Sequence, residues 1–143
     1  LTVIPHKVEK QSETTVKTSF RGAIWPVQGK VLTGKDTDIG VEKEGIDILA
    51  PKGSPIRAAM GGTVVYSGNK IKSYGNMIIM KHKSDLYTIY AHNQKNLVKY
   101  GDIIKKGTLI GFVGDTGRTD GKTLLFFAIR FRHNPLNPLK LLP

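Results

Sequence analysis

Four histidines, eleven carboxylates and no cysteine are all that the chain offers for metal or acid–base chemistry. The most suggestive stretch is Lys43-Glu44-Gly45-Ile46-Asp47-Ile48-Leu49-Ala50-Pro51. Ile46 and Ile48 give a short strand its apolar face, and the alternation of side chains puts Asp47 on the other. Gly45 permits a sharp turn or the close approach of a neighbour. An inward-facing carboxylate is costly without a cation or metal beside it. Four residues back, where a second ligand would sit, is Lys43, whose ammonium has three donors and no lone pair. The stretch reads as a zinc site with its first ligand missing.

These residues resemble the first motif of the LytM (lysostaphin-type) zinc peptidases, His-x-Gly-x-Asp followed by a Pro-x-Gly turn. Gly45, Asp47, Pro51 and Gly53 match, and Lys43 takes the histidine position. The resemblance runs from Trp25 to Pro143. It is nearest to the non-catalytic branch typified by NlpD and EnvC, which activate cell-wall amidases. Tyr74-Gly75-Asn76, Tyr90-Ala91-His92-Asn93 and Asn137-Pro138-Leu139 carry that closer likeness.

In active members the zinc ligands are the His and Asp of the first motif and the second His of a His-x-His pair. The other His of the pair is a catalytic base, and a further His ends a Tyr-Ala-His-like strand. Tyr90-Ala91-His92 matches that last element. Aligned from Thr116-Gly117-Arg118, the pair falls on Thr123 and Leu125; aligned backward from Ile129-Arg130, it falls on Leu124 and Phe126. Residues 123–129 contain no histidine in either register. A catalytic zinc needs three protein ligands and an open position. The resemblance therefore implies a degenerate site (Lys43, Asp47, His92, Leu125, Phe126) with no metal, no cofactor and no hydrolysis by this route. Lys43 is expected to supply the charge that zinc would have given Asp47. His6, His82 and His133 read as surface histidines.

The same replacements suggest recognition. Phe126 and Leu125 would turn a polar metal floor apolar, which suits protein contact. Lys43, Asp47, Tyr90, His92, Phe126 and Arg130 are the candidate partner-binding residues, Arg130 matching the Arg that closes the family's His-Phe-Glu-Ile-Arg segment.

The elements that must position these groups are β throughout. Val and Ile runs at 63–66, 76–81, 86–91, 109–113 and 124–132 alternate with glycine turns, and no convincing amphipathic helix interrupts them. This pattern predicts an antiparallel sandwich or compact barrel. The resemblance implies an all-β antiparallel β-sandwich of the LytM (duplicated hybrid motif) type, with a groove over one sheet. Residues 1–19 read as a flexible linker or arm, and 20–143 as the degenerate LytM domain. Residues 33–40 read as a polar loop, 25–27 as an entry strand, and the proline-rich 134–138 as an edge wrap unable to continue a ladder.

The chain holds 22 Lys+Arg against 11 Asp+Glu, a net charge of +11, which favours an anionic partner. No apolar run approaches the roughly 18 residues that would span a membrane. Beginning at Leu1 with no signal peptide, it reads as a processed or trimmed fragment. Relatives of the implied kind carry an upstream lipoprotein signal and a glycan-binding module, and the full-length protein is expected to be anchored to the outer membrane. The expected role is a non-catalytic periplasmic protein that binds and activates a peptidoglycan amidase during septal wall splitting and daughter-cell separation. The alternative is a non-enzymatic module binding peptidoglycan itself. The stretch 101–107 resembles biotinyl and lipoyl carriers but lacks Met-Lys-Met, and no aromatic-basic strand pattern supports nucleic acid.

Overall fold

The computed structural model describes residues 16–32 and 45–143; Lys43, His6 and the loop at 33–40 lie outside the described residues. The strands in chain order are β1 (Lys30–Leu32), β2 (Ile46–Leu49), β3 (Pro55–Arg57), β4 (Gly62–Gly68) and β5 (Asn76–Lys81). They continue with β6 (Leu86–Asn96), β7 (Ile103–Ile104), β8 (Leu109–Val113), β9 (Leu124–Phe131) and β10 (Asn134–Leu136). Every pairing among them is antiparallel.

One path runs β1-β2-β9-β6-β5-β4-β7, with β10 beside β9, while β8 joins both β6 and β3. The long strand β6 makes this possible. Its residues 86–91 lie beside β9, whereas 93–96 lie beside β8. At the change of neighbour His92 adopts φ 69°, a left-handed conformation uncommon for a non-glycine residue. The β3–β8 pair is thereby carried over one face of the main path, giving the expected antiparallel sandwich. Its core sets Ile46, Ile48, Ile78, Tyr90, Leu125, Phe127 and Ile129 against Ile56, Ile110 and Val113.

Alternation along β9 assigns its two faces. Leu125, Phe127 and Ile129 belong to the core, and Phe126, Ala128 and Arg130 face outward. Leu125 is thus a fully buried core residue, which corrects its expected place on an apolar groove floor. Tyr90 is corrected for the same reason. It is fully buried with its ring 5.3 Å from that of Phe127, and its hydroxyl accepts the Ala59 N–H at 3.1 Å. Truncating either ring to alanine would cost about 3–5 kcal/mol.

Other local expectations also change. Residues 16–19 form a helical turn whose Val16, with Phe20, is buried in the core, so packed structure begins before Phe20. Residues 23–27 are not a strand, although Pro26 accepts the Arg57 N–H at 2.8 Å. The proline-rich end does join a ladder: β10 pairs with β9, Pro135 opposite Arg130. A proline is tolerated there because β10 is an edge strand with only one neighbour. His133 is exposed, as read, but His82 is buried. Its Nδ1 lies 2.7 Å from the Gly61 carbonyl and its Nε2 2.7 Å from Thr88 Oγ1.

Candidate functional site

Asp47 and Phe126 are direct cross-strand partners, and Phe126 is in turn opposite Ala91 on β6. All three therefore stand on the outer face of the sheet. The next row along that face is Ala128, Ile89, Ile79 and Tyr66, and the one after it is Arg130, Tyr87, Lys81 and Thr63. Met77, Ile89, Ala91 and Ala128 are buried here, with Tyr66, Tyr74, Ile79 and Phe126 packed against them. The two alanines are fully buried beneath the larger side chains, which form an apolar patch on this face. Arg130 and Lys81 border it on one side, and the Asp47 end closes the other.

Phe126 is held in place from below and beside. A Cβ on Gly45 would come within 2.8 Å of its ring and 2.6 Å of the Phe127 carbonyl, so only glycine allows the ring to lie there. Tyr74 packs beside it, centroids 5.7 Å apart, and the His92 ring lies 6.4 Å from Tyr74 and 6.5 Å from Phe126. Strict alternation would send His92 to the core face with Tyr90; the backbone twist at φ 69° brings it to the outer face instead. The wall carrying Tyr74 is locked to the loop after β8. Gly75, at φ 61°, leaves no room for a Cβ against Thr116, whose hydroxyl accepts the Asn76 N–H at 3.0 Å.

The charges here are not those expected from the sequence. The Asp47 carboxyl is pushed up from its ordinary value mainly by burial, partly offset by the Arg118 guanidinium and by His92. Arg118 is the strongest of the nearby cations, Lys122 acting more weakly, and it grips Asp120 through two contacts, one of them Nε to Oδ1 at 3.0 Å. That grip holds the Asp120 carboxyl down at about 2. Burial lowers the His92 pKa, and its Nδ1 lies 2.8 Å from the Thr116 carbonyl. A carbonyl only accepts, so Nδ1 carries the hydrogen and Nε2 of the neutral ring keeps its lone pair.

These residues do not fit a catalytic zinc. Leu124 and Phe126, not Thr123 and Leu125, share the face of Asp47, since Leu124 is opposite Leu49 and Phe126 opposite Asp47. The positions that would carry a histidine pair are hydrocarbon, and hydrocarbon cannot ligate. Among the described residues no group of three or more His, Cys, Asp or Glu could hold a metal ion. Asp47 and His92 alone fall short of three ligands.

Of the residues singled out from sequence, the structure brings together Asp47, His92 and Phe126, with Arg130 two rows away. It removes Tyr90 and Leu125 to the core. Tyr74 and Arg118 were passed over as site residues. Both belong to motifs of the resemblance, but contacts across the fold leave no mark in the local pattern.

The sequence profile of Peptidase family M23 matches residues 41–138. The chain belongs to this family. Among M23-related proteins of Escherichia coli K12, the uncharacterized lipoprotein YgeR is 45% identical over 120 residues, covering 84% of this chain and 47% of that protein. The murein hydrolase activator NlpD of the same organism is 43% identical over 119 residues, covering 83% of this chain and 31% of NlpD. The M23 fold is also seen in a zinc-containing peptidase from Vibrio cholerae, with a TM-score of 0.72 and 29% identity. That match covers 85% of this chain and 41% of the peptidase. The chain thus spans less than half the length of these curated relatives.

Proposed function

We propose that this M23 domain is non-catalytic and works by binding and activating a peptidoglycan amidase in the bacterial periplasm, during septal wall splitting. The observation that carries this reading is the pair Leu124 and Phe126 on the face of Asp47. With hydrocarbon there, neither an activated water nor a histidine base is available. The likeness to relatives named as murein hydrolase activators supports the same reading.

The apolar patch is the docking surface in this account. Phe126 and Tyr74 are its aromatic anchors, Asp47 and His92 sit at one end, and Arg130 lies along the far border. Aromatic and Arg side chains that become desolvated on association usually carry most of the energy of a protein interface. A periplasmic lipoprotein context fits the names of the relatives, which include lipoproteins.

Dye release from labelled sacculi tests the proposal. The domain alone should release nothing above buffer, and an amidase at fixed concentration should speed up when the domain is added. Release by the domain alone, abolished by a chelator, would overturn the non-catalytic reading. Tight sacculus binding without amidase stimulation would favour a peptidoglycan-binding module instead.

A further inference from the structure

At the opposite end of the sheet, β7 is an edge strand held by β4 alone and bracketed by two tight turns. In the first, the Asp102 N–H donates to the Lys99 carbonyl at 3.1 Å and Gly101 takes φ 91°. In the second, the Thr108 N–H donates to the Lys105 carbonyl at 3.1 Å, with Gly107 at φ 85°. Ile104 points into the core at 9% exposure, whereas its neighbour Ile103 is 85% exposed. Tyr100 is 75% exposed and Leu97 42%. Single exposed apolar residues are ordinary. Three within one short segment, beside turns fixed by hydrogen bonds, make an exposed apolar tip.

The tip is ringed with positive charge. Lys95, Lys99, Lys105 and Lys106 are exposed around it. The Lys106 ammonium donates to the Gly22 carbonyl at 2.7 Å, which fixes one charge beside the turn. Asp102 is the only acid in the segment 95–106, and its carboxylate accepts the Lys99 N–H at 3.0 Å. Edge strands usually turn a lysine or a proline outward; this one turns out an isoleucine with lysines on either side.

We propose that the 97–106 tip is a contact site for an anionic phospholipid surface. Leu97, Tyr100 and Ile103 enter the boundary between headgroups and acyl chains, where an aromatic with a polar end sits well. The lysines meet the phosphates, as basic residues flanking an apolar face do at interfaces. The net charge of +11 draws the whole domain toward such a surface. The charge complement favours an anionic surface, and an exposed aliphatic side chain gains little from a hydrated glycan. This site is distinct from the patch around Phe126 and does not depend on the role proposed for it.

The test is cosedimentation of the 143-residue chain with vesicles of phosphatidylethanolamine and phosphatidylglycerol, compared with phosphatidylcholine alone. The variants are Tyr100→Ser/Ile103→Ser, Lys99→Gln/Lys105→Gln and, as an equal-charge control elsewhere, Lys30→Gln/Lys70→Gln. Both tip pairs are exposed, and unchanged melting curves would verify folding. The parent should prefer phosphatidylglycerol vesicles by at least tenfold over neutral ones. The apolar pair should lose at least tenfold, and the tip lysines should lose more than the control lysines. No vesicle binding by the parent would overturn the proposal, as would parent-like binding by Tyr100→Ser/Ile103→Ser. So would a loss in that variant of sacculus binding or amidase stimulation without lipid, which would make the tip a wall or protein contact.

Discussion

Phe126 decides the chemistry of the candidate site more than any other side chain. Its ring lies across from Asp47, where a zinc would need a nitrogen donor, and the nearby positive charge comes chiefly from Arg118, with His92 and Lys122 contributing. The purified domain should therefore contain no stoichiometric zinc after dialysis in zinc-containing buffer. Elemental analysis finding about one tightly held zinc per chain would contradict this. A second residue-scale prediction concerns His82, whose pKa is lowered by burial. Its ring is enclosed by buried groups: Nε2 lies 2.7 Å from Thr88 Oγ1, whose hydroxyl donates to Tyr90 Oη at 3.0 Å. With a folded-state pKa below the unfolded value of about 6.5, the unfolded chain takes up the proton first as pH falls. Stability is fullest above that value and declines below it, and His92 adds a change of the same sign. Thermal melts should show a lower Tm near pH 5.5 than near pH 7.5, and His82→Gln should flatten the slope. A parent whose Tm is unchanged over that range would refute it. Asp47 was legible from alternation and His92 from its motif. Tyr90 was misplaced because a residue in the left-handed region separates its face from that of His92, which no periodicity reveals.

The elements explain why the site has its shape. β2 brings Asp47 to β9, β6 and β9 each place a small alanine under the aromatic side chains, and the twist at His92 turns one strand into a member of two layers. Gly45 shows how closely the first of these contacts is fitted. Gly45→Ala would drive a methyl into the Phe127 carbonyl and the Phe126 ring, an overpacking expected to cost about 1–3 kcal/mol. Urea denaturation would measure it, and a variant as stable as the parent would show that the ring is not confined by Gly45. Most strands were legible because β-branched runs are punctuated by glycine turns. The final strand was not: proline argues against a ladder in general, but an edge strand needs only one hydrogen-bonding side. The register of 123–129 could not be settled from sequence, since a one-residue slip exchanges the two faces. Cross-strand pairing with Asp47 settles it in favour of Leu124 and Phe126.

On the scale of the whole molecule, an M23 sandwich sets hydrocarbon, Leu124 and Phe126, on the face of Asp47. The strand pattern made the fold class legible and composition the basic character, but neither reports where a partner would sit. The central claim is that the apolar patch around Phe126 docks an amidase. It is tested most directly by titrating the domain against a purified peptidoglycan amidase, with Phe126→Ala and the tip variant Ile103→Ser in parallel. Phe126 is partly exposed on the outer face, so its truncation should leave the melting curve within a few degrees of the parent. The account predicts that folded Phe126→Ala binds at least tenfold more weakly, about 1.4 kcal/mol, while Ile103→Ser binds like the parent. Undiminished binding by folded Phe126→Ala, or no binding by the parent, would contradict it.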